Sequence, residues 1–532
     1  MAAGELVTAL GWDRTRLSHR LTRVAERELV ARERAGGVIV SSRPPVDRLR
    51  QETGPGRVRE ERGERLGARR AGRARSVGGG GAAVDRRGPM PDESLEELAM
   101  EGWLYGYPLV TAAVTKTAMT AVPARDDARR KAPVNQFCYM RATPDASFTE
   151  VVSPNADTLY SSAWLDLSEQ PLVLTLPDFG DRFWMVPILD AWSNVCAVVG
   201  QRTHGASAGP FLIAGPSWSG ETPPGMTLLQ SPTAVNWIIA RYATSGPSDF
   251  PAVNRLQDGT RLIPLSEWTG DPGDHTPPTD VPVPAGADTT TAPVDQVHAL
   301  DGRAYVTLLA EMMTANPPAP ADAPLLDRLA PLGIAPGARP DELRPEAVTA
   351  LDAAARGGPG TLGTLLSRAE SANFGGWTVH RGLGDYGTDY AKRALITRFG
   401  YGANLDADAL YPHATTDSEG RPLDGAHTYV LHFDAGRTPP VDGFWSLTMM
   451  NERQLFADNP LDRYAIGDRS GMRTGTDGSL DIFVQHENPG PDREGNWLPA
   501  PAGGFNVFLR LYRPREAALT GDWTPPALRR AG

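Results

Sequence analysis

Polar side chains capable of acid/base chemistry are concentrated in residues 153–160, SPNADTLY, just before a strand-like run. A carboxylate whose pKa is raised by burial can act as a general acid or base, so Asp157 is a candidate catalytic residue. Asn155 and Tyr160 are candidate substrate-binding residues. The alternative is structural, because Asn and Asp after Pro form Asx turns that cap the entry to a strand. Both interpretations stay open.

A second polar and aromatic series occupies the ends of strand-like runs between residues 190 and 204. His204 is a candidate catalytic residue because an imidazole titrates near neutral pH. Arg202 can clamp a carboxylate through two parallel hydrogen bonds, and Asp190 and Trp192 are further candidate substrate-binding residues. A lone His in a Gly-rich loop is also typical of the protein surface, so a structural role is the alternative for His204.

Three residues of the C-terminal part complete the candidate set. Tyr411 and His413 in LYPHA, and Trp445 in GFWSLTMM, are predicted to bind substrate. Large rings are also typical of a β-sandwich core, which is the alternative for Trp445. Neither a zinc-binding Cys spacing nor a His-x-His motif with a suitably spaced Glu occurs in the sequence, so we expect no metal and no cofactor.

The elements that must position these residues are strand-length apolar runs in two blocks. The first block contains TLYSSAWLDL, PLVLTLP, RFWMVPILDAW, VCAVVG, FLIAGP and NWIIARY, and the second contains HTYVLHF, GFWSLTMM, LDIFVQHE and FNVFLRLYRP. Turn residues between the runs predict a β-sandwich in each block, with 505, 507, 509 and 511 on one side of the last strand. Helical patterns lie between the blocks, and another helix is predicted to start at Asp92 or Ser94.

Composition and charge narrow the class of protein. The chain has 532 residues, of which 40% are hydrophobic and 22% charged, as is typical of soluble multidomain proteins. Residues 1–90 contain 20 Arg, no Lys and 11 acidic residues, whereas the whole chain has a net charge of −11, so the remainder carries −20. An acidic body repels phosphate backbones and anionic lipids, so we expect neither nucleic acid nor a membrane as its partner.

The N-terminal region differs from the rest. Residues 6–40 resemble the recognition helix and wing of a MarR-type winged-helix regulator, but the preceding helix and the dimerisation helices are missing. Residues 44–89 are rich in Arg, Gly and Glu and are predicted to be disordered. One hypothesis explains both segments: Met90 is the natural start, and the preceding residues derive from a neighbouring or decayed regulator gene.

The longest motifs of the chain resemble the bacterial domain-of-unknown-function pair 1254/1214. Residues 153–167 and 182–216 resemble the first member, and residues 411–433, 439–451 and 496–514 resemble the second. Over residues of about 95–530, the resemblance implies an α+β fold with two jelly-roll-like β-sandwiches and intervening helices. It implies no particular reaction.

These observations predict the following organisation. The segments are a winged-helix-like fragment at 1–43, a disordered segment at 44–89, a helical lead-in and first β-sandwich at 90–270, a linker or surface loop at 271–293, a helical region at 294–400, and a second β-sandwich at 401–532.

Three functions are compatible with this organisation. The first is an acid/base enzyme that acts on a small polar or amphipathic metabolite in a cleft between the two β-blocks. The second is a noncatalytic ligand-binding protein or an assembly protein that forms homo-oligomers. The third, a DNA-binding regulator, depends on the N-terminal fragment. We expect a cytoplasmic protein whose partner is a small molecule.

Overall fold

The computed structural model describes residues 94–149, 152–206, 209–369 and 375–531. The MarR-like fragment at 6–40, the Arg-rich segment 44–89 and the proposed start at Met90 lie outside the described residues.

A long helix, α1 (Leu95–Thr120), begins the described chain. It starts with a capping box: the Ser94 side chain accepts a hydrogen bond from the Glu97 backbone N–H, and the Glu97 carboxylate accepts one from the Ser94 N–H. The sequence predicted this helix, and Ser94 was one of its two candidate caps. Trp103, Tyr105 and Tyr107 are all buried, so α1 is an internal helix.

The first β-unit consists of two sheets. Their strand orders are β1-β2-β8-β4-β5 and β7-β6-β3-β9. The strands are β1 (Cys138–Tyr139), β2 (Thr158–Asp166), β3 (Leu172–Thr175), β4 (Trp184–Asp190), β5 (Val195–Gly200), β6 (Phe211–Ala214), β7 (Thr227–Gln230), β8 (Val235–Ala243) and β9 (Arg261–Pro264). Both sheets contribute to one hydrophobic core, in which Leu165 and Ile238 of the first sheet lie with Leu174 and Phe211 of the second.

Helices follow the first β-unit in the chain and pack around α1. They are α4 (Pro293–His298), α5 (Gly302–Ala315), α6 (Ala323–Leu329), α7 (Pro345–Ala369) and α8 (Tyr390–Gly400), after the shorter α2 (Gln201–His204) and α3 (Phe250–Gly259) of the first β-unit. Leu309 of α5 and Leu351 of α7 share a core with Tyr105 of α1. This core also includes Trp164 of β2 and Val235 of β8, so the helices pack against the first β-unit.

The second β-unit also has two sheets. Their orders are β10-β12-β18-β14-β15, with β11 beside β18, and β17-β16-β13-β19. The strands are β10 (Trp377–Thr378), β11 (Ala409–Leu410), β12 (His413–Ala414), β13 (Thr428–Phe433), β14 (Trp445–Asn451), β15 (Ala465–Gly467), β16 (Leu480–Gln485), β17 (Trp497–Pro499), β18 (Phe505–Tyr512) and β19 (Arg529–Ala531); a short helix, α9 (Glu516–Thr520), follows β18. Residues 505, 507, 509 and 511 of β18 lie in the shared core, as their alternation predicted.

The described chain thus mixes helices with several sheets, in agreement with the predicted α+β class. The two β-units meet through their outer faces, where Phe183 and Met185 of the first unit share an apolar cluster with Phe444 and Tyr512 of the second. Within the described ranges, no helix has both the length and the apolar character needed to cross a membrane.

Candidate functional site

A buried polar cluster lies where the outer faces of the two β-units meet. In β2 and β8, core residues alternate with outward-facing ones, so Tyr160 and Arg241, which are opposite each other in the strand register, face away from the core. In β18, Arg510 and Tyr512 alternate with core residues in the same way. We call this set the junction cluster; its members are Asn155, Asp157, Tyr160, Arg241, Asn404, Tyr411, Ser446, Arg510 and Tyr512.

The loop before β2 holds the first unit to the second. The Asn155 side-chain carbonyl accepts a hydrogen bond from the Asp157 N–H at 2.6 Å, which is the Asx turn of the structural interpretation. The same amide donates through Nδ2 to the hydroxyls of Tyr160 at 3.1 Å and Tyr512 at 2.9 Å. Asn155 therefore has two roles: it forms the Asx turn, and it donates a hydrogen bond to the hydroxyl of Tyr160, a candidate substrate-binding residue.

Asp157 belongs to the same network. Its Oδ2 accepts hydrogen bonds from Ser446 Oγ at 2.6 Å and from Tyr512 Oη at 3.1 Å. Both donors come from the second β-unit, and all three residues are buried. Asp157 thus connects the two β-units by side-chain hydrogen bonds.

Two arginines are buried in the cluster. Arg510 donates through Nε to Thr448 Oγ1 and through Nη2 to the backbone carbonyls of Ser153 and Pro154. Arg241 donates through Nη1 and Nη2 to the carbonyls of Ile239 and Gly402, both at 3.1 Å. Each arginine is at most 6% exposed.

The positive charge of these arginines is not matched by ion pairs. In the part of the chain that the structure describes, neither guanidinium has a carboxylate oxygen within 4.0 Å. Burying a charged group is unfavourable unless it is paired, and hydrogen bonds to neutral carbonyls compensate only partly. The cluster contains two guanidiniums and one carboxylate, that of Asp157, which interacts electrostatically with Arg510, so its environment is electropositive.

The tyrosines respond differently to this environment. Burial disfavours ionisation of Tyr160, but the positive charges of Arg241 and Arg510 outweigh this effect and hold its pKa below the ordinary value. Burial raises the pKa of Tyr411, and burial together with the Asp157 carboxylate raises that of Tyr512. Tyr160 is thus the tyrosine of the cluster that ionises most readily.

The arginines also contact the faces of these rings. The Arg241 guanidinium carbon lies 5.3 Å from the ring centroid of Tyr160, and that of Arg510 lies 5.3 Å from the ring centroid of Tyr411. Tyr160 and Tyr411 keep part of their surface accessible, whereas Tyr512 is fully buried. Part of each of these two rings is therefore not covered by the protein.

Several predicted site residues lie outside the junction cluster. Arg202 forms a bidentate ion pair with the buried Asp408, at 2.6 and 2.9 Å. His204 is exposed, and its ring packs edge-on against Phe211. Trp445 lies in the core of the second β-unit, as its structural alternative stated.

His413 lies on β12, next to β18. Its Nε2 is 3.1 Å from Asn506 Oδ1, and its ring stacks on Phe508 at a centroid distance of 4.3 Å. Burial lowers the pKa of His413, which favours the neutral imidazole. The structure therefore gives His413 a hydrogen-bonded, stacked position beside the cluster.

Asp190 and Trp192 lie at a separate place, the turn between β4 and β5. Asp190 Oδ1 accepts hydrogen bonds from the backbone N–H groups of Trp192 and Asn194, and burial raises the pKa of Asp190 to about 6. The guanidinium carbon of Arg393 lies 5.2 Å from the ring centroid of Trp192. This turn thus contacts α8 rather than the junction cluster.

The described residues contain no group of three or more His, Cys, Asp or Glu side chains placed to hold a metal ion. Cys138 and Cys196 are both free thiols, and burial raises the pKa of each to about 12. Neither thiol is therefore activated as a nucleophile.

Sequence reasoning placed Asn155, Asp157, Tyr160 and Tyr411 among the candidates, and the structure brings these four together. It missed Arg241, Asn404, Ser446, Arg510 and Tyr512. A signal was present for both arginines, since each interrupts an apolar strand, in IIARYA and in FLRLY, at a position that alternation assigns to the face opposite the core.

Two family models match parts of the chain, one in each β-unit. Residues 134–264 match the family model described as protein of unknown function (DUF1254), and residues 408–516 match protein of unknown function (DUF1214). The MarR-like resemblance has no counterpart among these matches. No curated protein matches the chain.

A solved structure resembles the chain in fold. A crystal structure of a Vibrio parahaemolyticus protein has a TM-score of 0.62 at 24% identity, and the match covers 82% of this chain and 100% of that one. A putative uncharacterized protein from Burkholderia cenocepacia has a TM-score of 0.39 at 13% identity, with 83% and 90% covered. The likeness to the Vibrio protein concerns the fold alone.

Proposed function

We propose that the junction cluster binds a small molecule carrying a carboxylate, and that the protein is an enzyme in which Tyr160 acts as acid and base. The observation that carries the proposal is the pair of buried guanidiniums, Arg241 and Arg510, which have no carboxylate within ion-pair distance in the described ranges. The cluster has one carboxylate, Asp157, which interacts electrostatically with Arg510, so a bound carboxylate would balance the charge of the second guanidinium. Guanidinium groups bind carboxylates with favourable geometry.

Tyr160 is the group proposed to move a proton. A general acid or base works best when its pKa is close to the operating pH, and the two arginines shift the pKa of Tyr160 in that direction. Asn155 donates a hydrogen bond to the Tyr160 oxygen, which favours the phenolate. In this proposal Asp157 is a positioning residue, because its Oδ2 is engaged by Ser446 and Tyr512.

Ligand binding is tested by thermal unfolding of the full chain in the presence of acetate, propionate or benzoate, with chloride at equal ionic strength as the reference. A ligand at about 100 times its Kd stabilises the folded state by about 2.7 kcal/mol, so we expect a clear upward shift in Tm. Arg241→Met and Arg510→Met should each abolish the shift. Arg344→Met is the matched control, since Arg344 is exposed and pairs with Glu346.

The outcome that contradicts the binding proposal is equally clear. If carboxylates raise Tm no more than chloride does, or if the shift survives in either arginine variant, the proposed binding site is wrong. The midpoint of each variant without ligand is measured first, so a loss of folding is distinguished from a loss of binding.

Catalysis requires a separate experiment. Extracted cellular metabolites are incubated with the wild type and with Tyr160→Phe, and carboxylates that are consumed or formed are followed by mass spectrometry. We expect conversion by the wild type and none by Tyr160→Phe, while acetate still stabilises the variant. Equal conversion by both proteins would exclude an acid/base role for Tyr160.

A noncatalytic ligand-binding or assembly protein is the second candidate function. The observation that favours it is the reciprocal bonding of Asn155, Asp157 and Tyr512, which ties the β-units together without requiring a reaction. Carboxylate binding without conversion of any metabolite would support this candidate. An altered oligomeric state on ligand binding, measured by light scattering, would support assembly in particular.

Other predictions remain part of the proposal. We propose that the two β-units are jelly-roll-like sandwiches, that the segment boundaries fall at 90, 271, 294 and 401, and that the protein works in the cytoplasm. The candidate catalytic role of His204, and ligand contacts of Asp190, Trp192, Arg202, His413 and Trp445, stay predictions. DNA binding through residues 6–40 stays the third alternative, tested by deleting residues 1–89 and measuring DNA affinity.

A further inference from the structure

Two buried polar atoms of the junction cluster have no hydrogen-bond partner within the described part of the chain. They are Nε of Arg241, which is a donor, and Oδ1 of Asn404, which is an acceptor. The two residues are 6% and 4% exposed. Leaving a buried polar atom without a partner is destabilising, so a bound group that forms hydrogen bonds to both atoms would stabilise the folded protein.

Arg241 and Asn404 meet at one loop, residues 402–404. Arg241 Nη2 donates to the carbonyl of Gly402 at 3.1 Å, and Asn404 Nδ2 donates to Tyr411 Oη at 3.0 Å. Tyr411 in turn faces the guanidinium of Arg510. The Nε–H group of Arg241 and the Oδ1 atom of Asn404 therefore both belong to the surroundings of the loop 402–404.

Building on the proposed carboxylate site, we propose that its ligand is a hydroxycarboxylate. The ligand carboxylate accepts a hydrogen bond from Arg241 Nε, and the ligand hydroxyl donates one to Asn404 Oδ1. A simple carboxylate has no donor for Asn404, and an oxocarboxylate offers acceptors alone. An aminocarboxylate has donors, but its ammonium group would be repelled by Arg241 and Arg510.

The test compares lactate, propionate and pyruvate, which have three carbons each and differ at C2. Their affinities for the full-length wild type are measured by isothermal titration calorimetry. We expect lactate to bind at least about tenfold more tightly than propionate, because a site that forms a hydrogen bond to a hydroxyl discriminates against the analogue that lacks it. Pyruvate is expected to bind no more tightly than propionate.

Asn404→Leu removes the proposed hydroxyl acceptor. In this variant the affinity for lactate should fall to that for propionate, while the affinity for propionate is retained. Asn488→Leu is the matched control, because Asn488 is exposed and bonds to Glu494 outside the cluster. Lactate discrimination should be unchanged in the control.

The outcomes separate this inference from the proposed function. Equal wild-type affinities for lactate and propionate, or tighter binding of pyruvate than of lactate, would overturn the hydroxycarboxylate assignment and leave the carboxylate site intact. No binding of any of the three acids would overturn both. Since the wild-type comparison decides by itself, the test holds even if Asn404→Leu does not fold.

Discussion

Removing the Tyr512 hydroxyl measures how strongly the junction cluster joins the two β-units. In Tyr512→Phe, Asp157 loses a donor at 3.1 Å and the Asn155 amide loses an acceptor at 2.9 Å. A hydrogen bond to a carboxylate contributes about 1.5–3 kcal/mol and a neutral one about 0.5–1.5 kcal/mol. We therefore expect the free energy of unfolding to fall by about 2–4.5 kcal/mol.

The matched control for this variant is Tyr242→Phe. Tyr242 is equally buried, but its hydroxyl donates to the neutral Thr260 Oγ1 at 3.1 Å, so its loss should cost about 0.5–1.5 kcal/mol. Both variants are unfolded in urea and followed by tryptophan fluorescence. Equal losses in the two variants would refute the conclusion that Tyr512 contributes more because it serves both Asp157 and Asn155.

Three further predictions follow from the structure. In a spectrophotometric titration of the wild type, one tyrosine should ionise below the ordinary pKa of tyrosine, and this ionisation should be absent from Tyr160→Phe. Identical titration curves for the two proteins would contradict the charge effect of the arginines. Burial raises the pKa of Asp190 from 3.8 to about 6, so the folded state keeps this proton to a higher pH than the unfolded state does. The free energy of unfolding should therefore fall by about 3 kcal/mol, relative to Asp190→Asn, as pH rises from about 4 to 6. Parallel curves of stability against pH for the two proteins would contradict this prediction. Gly402→Ala should lower Tm more than Gly420→Ala does. Both glycines have positive φ, but a Cβ at Gly402 would collide with Ile239, whereas a Cβ at Gly420 would meet open space. Equal decreases in Tm would contradict the packing argument.

Much of the fold was predictable from local sequence. Strand length, alternation and turn residues located the main strands of both β-units, because core-facing positions recur every second residue. The Ser94 cap was predictable because its geometry depends on residues only three apart. Short strands such as β10, at Trp377–Thr378, carry too few residues for a periodic signal.

The candidate site was only partly predictable. Asn155, Asp157 and Tyr160 stand within six residues of each other, so their association is visible in the sequence. Arg241 and Arg510 are 269 positions apart and meet only because the outer faces of two sheets pack together. The Ser446 hydroxyl, which reaches Asp157, sits in a strand with buried neighbours, and the sequence does not show which partner it has.

The hydrogen bonds of Asp157 have a consequence for how the chain unfolds. The carboxylate belongs to one β-unit and its donors, Ser446 and Tyr512, belong to the other, so neither half satisfies its buried polar groups by itself. The two halves should consequently melt as a single cooperative transition, and a fragment ending before β10 should not be a self-sufficient folding module.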